Sequence, residues 1–136
     1  MLPLPPRRKQ GVLWVVDDSD PLDNLVGSGS VYSSVRDLYA YDQALYTDQL
    51  VSQSTLAAAF EPAKTSDGVA PYGFGWYLGT WSGHPYTSHG GYWEGYRSYI
   101  LRFASDRFSV LVLANRTDIS PEDLAFQIFD VFEPTL

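Results

Sequence analysis

From Tyr72 to Ala114 the chain reads as a succession of short β segments, and this stretch limits what the whole can fold into. YGFGWYLGTW (72–81) alternates aromatic residues with glycine, and TSHGGY (87–92) is a strand loosened by glycine. YRSYILRF (96–103) and FSVLVLA (108–114) are the strongest strand signals, joined by a turn at residues 105–107. SGHP (82–85) reads as another turn. Consecutive strands joined so closely pair antiparallel, and the sheet then needs a cover. Helices flank it. Ser34 can cap a helix in which Val35, Leu38, Tyr39, Asp42 and Leu45 follow, the apolar members on one face. A second starts at Ser52 and runs to about Phe60, with Leu56, Ala57 and Phe60 inward and Pro62 just beyond. Ser120, Pro121, Glu122 and Asp123 open a third, whose apolar stripe is Leu124, Ile128, Val131 and Phe132. The order predicts an α+β fold, an antiparallel sheet with helices on one face. Residues 1–10, rich in proline and basic, read as a flexible tail, and GVLWVV (11–16) as a short strand.

Charge and cysteine content exclude several functions. The 9 Lys and Arg against 16 Asp and Glu leave a net charge of −7, and three of the cations sit together at residues 7–9. Such a surface repels a phosphate backbone, so nucleic acid is not an expected partner. With no cysteine there is no disulfide, thiolate nucleophile or Cys-ligated metal. The acidic stretch DDSDPLDN (17–24), a solvated turn, fails as a calcium loop. Counting from Asp18, the sixth position is Asp23 where glycine is needed, and the twelfth is Gly29 where glutamate is needed. No apolar run of signal-peptide or membrane-spanning length occurs, so the chain as written carries no export signal and no transmembrane segment. The compartment stays open.

Three features could carry chemistry. In Ser88-His89-Gly90-Gly91-Tyr92, two glycines beside a histidine on a strand let a substrate backbone approach; the structural alternative is a glycine-loosened strand crossing a neighbour. Trp76, Trp81, Tyr92, Trp93 and Tyr96 could form a stacking platform for a glycan or peptide, or could be core and rim of a small sheet. His84 and His89, five residues apart, face opposite sides of a strand, which argues against a shared metal; neither a metal nor another cofactor is expected.

Taken together, GSGSVYSSVRDLYAYDQAL, LVSQSTLAAAF, YGFGWYL, SHGGYWEGYRSYILRF and SVLVLANR resemble, in order and spacing, the C-terminal part of β-lactamase-related serine hydrolases, the group of class C β-lactamases, D-alanyl-D-alanine carboxypeptidases and esterases. The resemblance covers about residues 25–132 and makes 11–136 the C-terminal portion of such a domain, a partial β-lactamase/transpeptidase-like fold. Members carry Ser-x-x-Lys, a Tyr-x-Asn or similar motif, and Lys-Thr-Gly or a His-x-Gly variant on a strand at the edge of the site. His89-Gly90-Gly91 matches the third. The first two are not in this chain: Pro6 and Glu61 stand three residues before the only lysines, Lys9 and Lys64, and Leu22 and Leu113 stand two before the only asparagines, Asn24 and Asn115.

The resemblance therefore implies substrate-binding residues His89, Gly90, Gly91 and Tyr92, the last through its N–H as an oxyanion donor, and no catalytic residue in this chain. The complete protein would hydrolyse an ester, amide or lactam of a small molecule or peptide through an acyl-serine, and the chain alone would be inactive. Complete members are often extracytoplasmic. An imidazole in place of lysine, a weaker fixed charge at neutral pH, would tilt recognition from acidic β-lactams toward esters, amides or peptides. No Gly-x-Ser-x-Gly offers a separate triad. An open sheet edge would invite a homodimer or association with an N-terminal half. The rival is a non-enzymatic binding module using the aromatic strand surface.

Overall fold

The computed structural model describes residues 5–17, 27, 29 and 31–135. Residues 2–4, most of the acidic turn and part of the glycine–serine run lie outside the described residues. The chain opens with a hairpin, β1 (Arg7–Gln10) and β2 (Leu13–Val16), turning at Gly11, whose φ of 61° suits glycine. Two helices follow, α1 (Val35–Ala44) and α2 (Gln53–Ala59), then a small hairpin of β3 (Ala63–Thr65) and β4 (Gly68–Ala70). The main sheet is four strands in sequence order: β5 (Tyr77–Trp81), β6 (His84–Trp93), β7 (Tyr96–Phe103) and β8 (Phe108–Ala114), antiparallel throughout. Helix α3 (Pro121–Phe132) ends the fold. No helix among the described residues is long and apolar enough to cross a membrane.

The helix starts follow local chemistry. The Oγ atoms of Ser34, Ser52 and Ser120 accept from the N–H groups of Asp37, Thr55 and Asp123 at 3.1, 3.2 and 3.2 Å, satisfying donors that the first turn leaves free. The strand turns do likewise. Ser82 and Gly83 hold φ of 48° and 87°, the two-residue turn that matches strand twist, and Arg107 ends the β7–β8 turn at φ 51°.

The α+β class and the antiparallel sheet are as expected, but the helices are divided between the two faces. Residues Tyr99, Leu101 and Phe103 of β7 and Val110 and Val112 of β8 pack under Ala125, Phe126 and Phe129 of α3. The Phe103 and Phe129 rings stack with centroids 3.7 Å apart. On the opposite face Ile100 packs against Leu45, Leu56 and Trp76, and Asp42 of α1 takes Arg102 Nε and Ser109 Oγ (2.9 Å) on one carboxylate oxygen. The alternation of β7 side chains makes both faces apolar enough to need a lid.

Three finer expectations change. The stripe of α3 that faces the sheet is Pro121, Ala125, Phe126 and Phe129, whereas Leu124, Val131 and Phe132 are 41%, 73% and 49% exposed. The apolar residues of α3 outline two adjacent stripes, and polar bonds choose between them: Glu122 accepts from Tyr99 Oη at 3.2 Å and Asp130 from Trp81 Nε1 at 2.6 Å. Ala57 of α2 is likewise exposed, with Leu56 the residue that is buried. Finally, residues 7–10 are not a tail. Arg7 N–H donates to the Asn115 carbonyl at 2.9 Å, Asp17 N–H to the Pro6 carbonyl at 3.0 Å, and Pro6 is fully buried against Gly95. Pro6, with its φ fixed by the ring, docks against Gly95 in the β6–β7 turn.

Candidate functional site

Strand β6 has two unlike halves. Residues 84–88 pair with β5 on one side, and residues 87–93 pair with β7 on the other. From His89 to Trp93 the strand therefore has one ladder, and among the described residues its second edge is open. His89, Gly90, Gly91 and Tyr92 all lie on this half. Side chains alternate, so His89 shares the face of its partner Ile100, and Gly91 that of Ser98.

The glycines have a packing reason. A Cβ on Gly91 would collide with Ser98 Oγ, and one on Gly90 would lie 3.1 Å from the Tyr99 ring. Both sites are filled from the neighbouring strand, so a flat, closely paired β7 is what the two glycines permit. Tyr99 Oη in turn shares a hydrogen bond with Ser88 Oγ at 2.9 Å. Burial, more than any other influence, pushes the Tyr99 hydroxyl up to about 12, with the Glu122 carboxylate adding to it and the Ser88 bond opposing it.

His89 itself is exposed, and aromatic rings set its position. Its Nε2 lies 3.1 Å from Tyr72 Oη, and its ring stacks on Tyr77 at 5.8 Å with 30° between planes. Tyr72 and Tyr77 meet edge to face at 4.7 Å. Tyr72 and Tyr77 were not among the sequence candidates. The signal for them is the double glycine of YGFGWY: Gly75 has φ 81° and Gly73 abuts the Ala59 carbonyl, so this stretch is a turn that folds back instead of the strand expected from residue 72. Tyr92 is 58% exposed, with the Arg97 guanidinium 5.2 Å from its ring centre. Arg97 is held by the carbonyls of Glu94 (2.8 Å) and Tyr96 (2.6 Å).

The two histidines serve apart. His84 Nδ1 lies 2.8 Å from Asp106 Oδ2, and its ring sits edge-on to Phe103 and Phe129. It ties the start of β6 to the β7–β8 turn, five residues and about 17 Å of strand from His89. Nor do the five aromatic candidates gather into a platform. Trp76 is core, 8% exposed against Phe60, and Trp81 leans on Phe126 of α3. Only Tyr92, Trp93 and Tyr96 remain near the β6–β7 turn, and Tyr92 faces away from the other two.

A strand with one open half that carries His-Gly-Gly, within an antiparallel sheet covered by a terminal helix, is the arrangement expected of a β-lactamase-related domain. The β-lactamase family model matches residues 3–131, and the chain belongs to this family of serine hydrolases. It is 35% identical over 102 residues to a penicillin-binding protein of Bacillus subtilis (strain 168), covering 71% of this chain and 22% of that protein. To a D-aminopeptidase of Gluconobacter oxydans (strain 621H) it is 34% identical over 90 residues, 65% of this chain and 17% of that protein. A D-aminopeptidase of Brucella anthropi is 27% identical over 107 residues, 78% and 20% respectively. The chain thus spans about a fifth of the length of these relatives.

Proposed function

We propose that this chain is the C-terminal part of a serine hydrolase domain, and that residues 89–92 form the substrate-binding edge of its site. The observation that carries the reading is the one-sided half of β6: His89-Gly90-Gly91-Tyr92 stand on an unpaired strand edge, in a chain without Ser-x-x-Lys or Tyr-x-Asn. An acyl substrate laid along that edge would meet backbone N–H and C=O groups, with the Tyr92 N–H as one oxyanion donor and the His89 imidazole as a hydrogen-bonding partner for its acyl oxygen. The attacking serine, its lysine and the second oxyanion donor would come from a segment outside this sequence. The complete protein would cleave an ester, amide or lactam of a small molecule or peptide. The chain by itself is inactive, because one oxyanion donor does nothing without an attacking group.

The test is direct. The purified chain should hydrolyse nitrocefin and p-nitrophenyl acetate no faster than a denatured control. Mixing it with a family segment that bears Ser-x-x-Lys and Tyr-x-Asn should raise the rate, and His89→Ala should reduce it. Saturable hydrolysis by the chain alone, abolished by His89→Ala, would overturn the reading.

A further inference from the structure

We propose that Tyr72 is the positioning residue of His89: its phenol O–H donates to Nε2, which holds the imidazole as the Nδ1–H tautomer and leaves Nδ1–H as the free donor of a residue on the open half of β6. The use of that donor in substrate binding rests on the function proposed above; the tautomer does not.

The 3.1 Å separation of Tyr72 Oη from His89 Nε2 places one proton between them. A phenol is a far stronger acid than a neutral imidazole N–H, and an imidazole nitrogen is a far stronger base than a phenol oxygen. The proton therefore belongs to Tyr72, and Nε2 accepts. No bond to His89 Nδ1 occurs among the described residues, so its proton is free to meet a ligand. Tyr77 lies against one side of the imidazole, stacked on it at 5.8 Å.

Tyr72 is itself held by backbone. Its carbonyl accepts from Ala63 N–H at 2.8 Å, the Pro71 carbonyl from Leu78 N–H at 2.9 Å, and the next residue, Gly73, donates to the Trp76 carbonyl at 2.8 Å. A side chain at 73 would strike the Ala59 carbonyl at the end of α2. The turn after β4 thus carries a phenol to the strand edge with little freedom to shift. A neutral donor fixed this way suits an uncharged acyl oxygen, of an ester or amide, and gives a free carboxylate no cation to pair with.

Ring-nitrogen NMR of the chain with labelled histidine tests this. At pH about 8.5 the ring-nitrogen shifts report which nitrogen of each ring carries the proton. His89→Gln assigns the signals, and His84, whose Nδ1 faces Asp106, is the internal control. His89 Nε2 should resonate as an unprotonated nitrogen. Tyr72→Phe keeps the ring and removes the donor, and should lower the ratio of Nδ1–H to Nε2–H at His89 by about three- to ten-fold while His84 stays unchanged. A predominantly Nε2–H ring in the wild type, or a ratio that ignores Tyr72→Phe, overturns the proposal. If the variant does not fold, the wild-type tautomer alone decides. A tautomer that responds in a chain that never complements hydrolysis would sink the function and leave this inference standing; the reverse result would do the opposite.

Discussion

The two faces of the main sheet are built on different principles. Under α3 the contact is nearly dry: phenylalanine, leucine and valine side chains interlock, and the polar atoms of Tyr99 and Trp81 are capped at its margins by Glu122 and Asp130. Across the sheet, under α1, a small apolar cluster sits beside a fully buried ion pair, Asp42 with Arg102, whose guanidinium also lies 5.0 Å from the Tyr46 ring. Apolar packing tolerates no loss of volume but asks little of geometry. A buried pair specifies position, yet either charge alone is worse than none. Helix α3 is held by broad apolar packing with polar bonds at its margins, and α1 by the directed contacts of one buried carboxylate, Asp42.

Removing one side chain from either face should be costly, by similar amounts and for opposite reasons. Phe129→Ala should destabilise by about 3–5 kcal/mol through the cavity it leaves. Arg102→Ala should cost about 3–5 kcal/mol by stranding the Asp42 carboxylate. A second substitution separates the cases. Asp42→Leu with Arg102→Met should recover most of the loss, while no partner change rescues Phe129→Ala. Denaturant titrations check this; an unrecovered double variant would mean that Asp42 and Arg102 hold α1 in a way apolar contact cannot replace.

The next largest effect belongs to the α3 face at alkaline pH. Tyr99 is a neutral acid whose pKa rises on folding from the ordinary tyrosine value of 10.0 to about 12. The unfolded chain loses this proton first, so the stabilisation is whole below pH 10 and disappears as pH rises through 12. The decline across that window should reach up to about 2–3 kcal/mol. Tyr99→Phe should flatten it. Stability measured at pH 9 to 12 in both forms decides the matter, and equal slopes would count against a desolvated Tyr99.

Smaller still is the cost of filling the glycine site on β6. Gly91→Ala drives a methyl into Ser98 Oγ, and should destabilise by about 1–3 kcal/mol. Gly91→Ala with Ser98→Gly removes the collision and should return most of that. A double variant no better than the single would show that Gly91 answers to something other than β7.

Much of the sheet is legible in the residues themselves. YRSYILRF and FSVLVLA declare strands because β-branched and aromatic residues crowd them, and the serine caps announce three helix starts. Which stripe of α3 turns inward is not legible, because two adjacent stripes are apolar and the choice rests on bonds to Tyr99 and Trp81 from distant strands. Division of the helices between faces is hidden for a like reason: it turns on Asp42 meeting Arg102, sixty residues on in the chain. At the candidate site His89-Gly90-Gly91 stands out by type and spacing, whereas Tyr72 reaches His89 only because the chain turns at Gly73 and Gly75.

The smallest effect separates the faces by how far a local loss spreads. Ser120 and Ser34 cap their helices in the same way, each accepting from the N–H three residues on, so each alanine substitution should remove about 1 kcal/mol of local stability. Helix α3 is welded to the core through Ala125, Phe126 and Phe129, and its start cannot fray without disturbing Pro121, which is buried. Ser120→Ala should therefore lower the global unfolding free energy by the full amount. In α1 the only buried residue is Asp42, two turns downstream, and the first turn is exposed. Ser34→Ala should leave global unfolding nearly unchanged and instead speed amide exchange near Leu38, whose N–H donates to the Ser34 carbonyl at 2.9 Å. Equal drops in global stability for the two variants would mean that α1 folds as one unit with the sheet, and that the contact through Asp42 holds the helix along its whole length.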